Sequence, residues 1–117
     1  MSTLVQTIHS MNYQYRNTYF DILKARKIRD EEEKKFRLYK SKKESYIKWH
    51  SICVKLGAGR NMLSRLEDDI RKQKLFCWLQ SISYKNAVND VERLEQQGET
   101  ILQELDRITD RLIQISH

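Results

Sequence analysis

The chain has 117 residues, no proline, three glycines and two cysteines, with 32% charged residues against 39% hydrophobic ones. Length limits it to one domain, two cysteines exclude a disulfide framework, and scarce helix breakers favour an elongated all-α protein. Its 22 lysines and arginines against 16 acids give +6, enough to consider nucleic acid or an acidic partner but less than a DNA-packaging protein carries.

The opening stretch MSTLVQTIHS has no basic region and no long apolar run, so a secretory leader is not expected. It has no acid before Asp21, as in a mitochondrial presequence, but only Arg16 is basic there. A first helix is predicted over about residues 3–56. Leu4, Ile8, Met11, Tyr15, Thr18, Ile22, Ala25, Phe36, Tyr39, Tyr46 and Cys53 fall on one heptad frame. Arg29, Glu32, Lys43 and His50 occupy the same frame and interrupt it. Val5, Tyr19, Phe20, Leu23, Ile47, Trp49, Ile52 and Leu56 lie off it, forming a second apolar stripe that suits a helix touching more than one neighbour. In the charged block at residues 26–35, Asp30 with Lys34 and Glu31 with Lys35 have the favourable i,i+4 order and predict a solvated face.

At mid-chain, residues 57–60 read Gly-Ala-Gly-Arg. Glycine after a helical pattern is the usual left-handed stop, and a connection this short makes an αα-hairpin. A second helix is predicted over about residues 61–116, capped by Asn61 or Ser64, with Glu67, Asp68 and Asp69 in its early turns. Its later half carries the strongest signal in the chain. Ala87, Val91, Leu94, Gly98, Ile101, Leu105, Ile108, Leu112 and Ile115 alternate in steps of four and three. Gly98 is the one flaw in that seam.

Folding at the glycines sets residues whose numbers sum to about 119 opposite each other, on arms of about 80 Å at 1.5 Å per residue. Met11 then meets Ile108, Thr18 meets Ile101, Ala25 meets Leu94, and Ile22 falls near Gly98. The expected architecture is a single helical domain over residues 1–117, a long antiparallel helical hairpin of coiled-coil type that dimerises into a four-helix bundle. The rival is a three-helix bundle with a further break near residues 29–33 or 81–90. The interface expected between helices comprises Leu4, Ile8, Met11, Tyr15 and Ile22 on the first helix. Val91, Leu94, Ile101, Leu105, Ile108, Leu112 and Ile115 supply it from the second.

Charge is uneven along this plan. Residues 34–85 hold fourteen basic and four acidic residues, +10; the remainder holds eight and twelve, −4. The basic half also carries aromatics, the composition of nucleic-acid surfaces. The candidate nucleic-acid residues are Lys40, Lys42, Lys43, Lys48, Arg60, Arg71, Lys72 and Lys74. A solvated lysine face over an aromatic core is the plainer explanation of the same pattern.

No nucleophile motif, phosphate loop or metal-ligand spacing occurs, and His9, His50 and His117 are far apart. Neither catalysis nor a cofactor, metal or small-molecule substrate is expected. The longest apolar run, residues 75–79, is too short to span a bilayer. Unclustered cysteines point to a reducing intracellular compartment, cytoplasmic or nuclear. The expected function is a non-enzymatic interaction module that oligomerises or docks on partner helices; the alternative is nucleic-acid or acidic-protein binding through the basic half.

Overall fold

The computed structural model describes residues 2–116. They form two α-helices, α1 (Ser2–Lys55) and α2 (Arg60–Ser116), joined at residues 56–59. Among the described residues there is no strand, and the fold class is all-α.

The connection is a Schellman stop. Gly57 adopts φ +73°, which glycine reaches without a Cβ clash. Its N–H donates to the Val54 carbonyl at 3.2 Å, and the Ala58 N–H reaches back to Cys53 at 3.0 Å. These two bonds satisfy carbonyls that the end of α1 would leave orphaned. Each helix starts one residue earlier than expected and α1 ends one earlier, with Leu56 as the last residue before the reversal, while α2 ends at residue 116 as expected. The expected cap of α2 is also corrected. Gly59, not Asn61 or Ser64, stands at the cap position, its carbonyl accepting from the Leu63 N–H at 3.1 Å. The first turn of α2 carries no acid, so Glu67 to Asp69 sit beyond the reach of the helix dipole.

The expected rival with three helices does not form. Both helices run unbroken through residues 29–33 and 81–90. In the stretch near Ser81, two serine hydroxyls turn back onto the helix's own carbonyls, which keeps them satisfied within an unbroken helix. Ser81 Oγ donates to the Trp78 carbonyl at 2.6 Å, and Ser83 Oγ to that of Leu79 at 3.5 Å. At residues 29–37 the ion pairs differ from those expected. Arg29 takes Asp30 at 3.2 Å, Lys35 reaches Glu32 at 3.7 Å, and Arg37 reaches Glu33 at 2.5 Å. Asp30 is thereby engaged by its neighbour, and half-buried Glu32 draws Lys35 away from Glu31.

The chain packs as two compact units. Met1–Ile28 and Val88–His117 make a terminal unit; Arg29–Ala87 make a turn unit. In the terminal unit the two helical segments lie antiparallel around a dry seam. Ile22, Val91, Gly98, Leu105 and Ile108 are buried there. Arg26 bonds Glu95 across the pair at 3.1 Å, close to the expected register.

The turn unit is an αα-hairpin with a wetter seam. Its buried residues are Cys77 and Ala87, both small. Arg29, Glu32, Lys43 and His50 do not interrupt the frame; they occupy it, half-buried. Gln80 crosses the seam from α2, its Nε2 donating to the Glu32 carbonyl at 3.2 Å and to the Glu32 carboxylate. His50 Nε2 lies 3.4 Å from Glu67 Oε1. Phe36 stacks on Tyr84 with ring centres 6.0 Å apart, and Tyr39 meets Phe76 at 6.1 Å. Gln73 Oε1 is buried and has no hydrogen-bond partner among the described residues.

Candidate interaction surface

The residues expected between the helices occupy different depths. Ile22, Val91, Leu105 and Ile108 are buried. Leu4, Ile8, Met11, Tyr15, Leu94, Ile101 and Leu112 are half-buried. Ile115 keeps the spacing but is 54% exposed, so burial stops at Leu112. On the exposed surface of the terminal unit, Arg107 hydrogen-bonds Glu104 and holds its carboxyl below the usual range. The same bond raises Arg107.

All eight residues expected to meet nucleic acid lie in the turn unit. Lys43 and Lys74 line a hollow of about 290 Å³ with Phe36, Cys77, Trp78 and Ser81. Lys42 sits on the flank of the Tyr39–Phe76 pair, its Nζ 6.0 Å from the Tyr39 ring centre. Arg71 is paired with Asp68 at 3.4 Å. Lys43 is half-buried; Lys40, Lys48, Arg60 and Lys72 are exposed. The charge polarity is also milder than the sequence halves imply, because the acids at residues 30–33 belong to the turn unit. Fifteen basic residues meet eight acids there, +7, and seven meet eight in the terminal unit, −1.

Beside these charges the turn unit exposes many large apolar side chains. Leu38, Ile47, Trp49, Ile52 and Val54 of α1 and Leu56 just after it are all on the surface. So are Met62, Leu75, Phe76, Trp78, Leu79 and Ile82 of α2. The unit thus keeps polar groups in its seam and large apolar groups outside it. Sequence reasoning caught Trp49, Ile52 and Leu56 as a second stripe and missed Leu38, Met62 and Leu79. The signal was there: Leu38 precedes Ile52 by fourteen residues and Met62 precedes Phe76 by fourteen, two heptads each.

Among the described residues no three His, Cys, Asp or Glu side chains come together as ligands for one ion. His117 lies outside the described residues. Cys53 and Cys77 are free thiols, half-buried and buried. No described helix is long and apolar enough to cross a membrane. No protein family, no curated protein and no solved structure matches this chain.

Proposed function

We propose that the chain is a non-enzymatic assembly module whose helices are covered by further helices, from a second copy or from a partner, completing a bundle. One observation carries the reading. The chain exposes 9148 Å², whereas a compact monomer of its mass exposes about 6,800 Å². The excess, roughly a third, is of the size that obligate helical interfaces hide. The exposed apolar side chains identify what that surface is made of, and a water-facing set this large marks an interaction surface. A second helical pair laid against the first would cover such side chains in the manner of a four-helix bundle.

Sedimentation across a wide concentration range, with an apolar fluorescent dye added in parallel, tests this. The expected result is a species heavier than 14.2 kDa, or a monomer that binds the dye strongly. A monomer at every concentration that leaves the dye dark would overturn the reading.

A further inference from the structure

We propose that one flank of the turn unit docks an acidic amphipathic helix of another protein; this rests on the assembly reading above and names the partner's chemistry. The flank is built by heptad spacing. On α1, Lys35, Lys42 and Trp49 recur every seven residues, continued by Leu56 just past its end, with Leu38 and Ile52 beside them. On α2, Met62, Asp69 and Phe76 recur likewise, with Arg65, Lys72 and Leu79 beside them. The Tyr39–Phe76 contact and Lys42 above the Tyr39 ring place the two rows on the same side of the hairpin.

The apolar members are well exposed. Trp49 is 53% accessible, Leu38 56% and Met62 53%. Trp49 packs edge-on against Tyr46, ring centres 5.4 Å apart, so the indole has a supported face. Rows of exposed anchors at helical spacing on two antiparallel helices form the kind of surface into which an amphipathic helix lays its apolar face.

Charge then selects the occupant. Three cations without an ion-pair partner among the described residues, Lys42, Arg65 and Lys72, border this flank against Asp69, while at its far end Lys35 is paired with Glu32 at 3.7 Å beside Glu31. A second copy docking by the same flank would set those cations against themselves, which costs affinity and slows encounter. Nucleic acid would satisfy the cations and could stack on Trp49 and Phe76, but it would leave Leu38, Ile52, Met62 and Leu79 facing water, which an apolar helix stripe would cover. A helix with apolar residues on one stripe and carboxylates beside it satisfies both features.

The test uses the full chain carrying Trp78→Phe, which leaves Trp49 as its only tryptophan. Three probes are titrated in turn: a synthetic amphipathic helix of leucine and glutamate, its leucine–lysine counterpart, and an oligothymidylate. The expected result is a blue shift of Trp49 with the glutamate peptide, at least tenfold tighter than with the lysine peptide. It is lost in Lys42→Gln/Lys72→Gln and in Leu38→Ser/Leu79→Ser, and kept in Lys40→Gln/Lys74→Gln on the other flank, with helicity by circular dichroism unchanged throughout. Equal binding of the two peptides, loss in both charge variants alike, or a Trp49 response to the oligothymidylate alone would each overturn the proposal. So would a Trp49 blue shift that grows with protein concentration and excludes the peptide, because a second copy would then cover the flank. That last outcome leaves the assembly reading intact, whereas a dark dye and a monomer remove both.

Discussion

Ile22 fills the space left by Gly98. A β-carbon on residue 98 would stand 3.4 Å from Ile22 Cδ1, with Thr18 Cγ2 at 3.8 Å and Tyr15 Cε2 at 3.9 Å. A large side chain on α1 therefore occupies what reads as a flaw in the seam of α2. One methyl group fits at ordinary contact distance, and alanine is worth about 1 kcal/mol over glycine inside a helix. Gly98→Ala is expected to raise the unfolding midpoint. Gly98→Leu is expected to lower it, because the added branches must enter the volume of Ile22. Thermal unfolding of the two variants decides: if alanine also destabilises, α1 and α2 lie closer than these distances state.

Gly57 carries a different constraint. Nothing lies within 4 Å of a β-carbon there, so space is not the issue; the backbone is. At φ +73° an L-residue meets its own carbonyl, at a cost of about 1 kcal/mol. Gly57→Ala should destabilise by that amount, while Gly59→Ala, at an open cap position with no positive φ, should cost less, losing only the preference of a helix cap for glycine over alanine. Chemical denaturation of both chains checks the ordering.

How far the sequence reveals this fold depends on which force each residue obeys. The frame from Leu4 to Leu112 was legible because apolar burial repeats with the helix period, and the turn because a glycine stop is a local backbone rule. Ile115 was not, since spacing says which face a residue takes and nothing of where the pairing ends. Asn61 and Ser64 have good cap chemistry, but the Schellman bonds of Gly57 and Ala58 end α1 early enough for α2 to start at Arg60. The seam polar groups were misread as interruptions. A long side chain can sit in a half-wet seam if a partner reaches it, as Gln80 reaches Glu32, and that partner lies 48 residues away. The exposed flank was hardest of all. Leu38 and Met62 look like scattered apolar residues until the antiparallel pairing puts their rows side by side.

Gln73 tests the cost of a wet seam. Its buried Oε1 has lost water and gained no donor among the described residues. An unsatisfied buried acceptor costs about 1–3 kcal/mol. Gln73→Leu, of similar volume, is expected to stabilise the turn unit. A fall in the unfolding midpoint would mean that the amide is hydrogen-bonded in solution.

Glu104 sets a pH response in the terminal unit. Its carboxyl is lowered from 4.5 chiefly by the hydrogen bond from Arg107, against an opposing desolvation, with that cation's charge adding a lesser lowering. A depressed folded-state acid contributes stability above its unfolded value and loses it as pH falls through the folded one. Acidification below about 4.5 should therefore lower the midpoint, and Glu104→Gln should flatten part of that slope. Both side chains meet solvent, Arg107 71% and Glu104 41% exposed, so the effect is expected to be small and to shrink with salt. Midpoints measured against pH at two salt concentrations provide the check.

The sharpest contrast lies between two residues on the same heptad frame. Leu105 is 8% exposed and Ile115 is 54% exposed. Sequence spacing makes them equivalent; the structure does not. Truncating a buried leucine removes its transfer energy and leaves a cavity, about 2–5 kcal/mol. Truncating a surface residue outside any packed contact stays within about 0.5 kcal/mol. Leu105→Ala should thus lower the midpoint strongly while Ile115→Ala barely moves it. Comparable losses at both would mean that Ile115 is covered in solution. Repeating the pair of measurements at high and low protein concentration separates the cases, because only burial by another molecule makes the Ile115 loss depend on concentration.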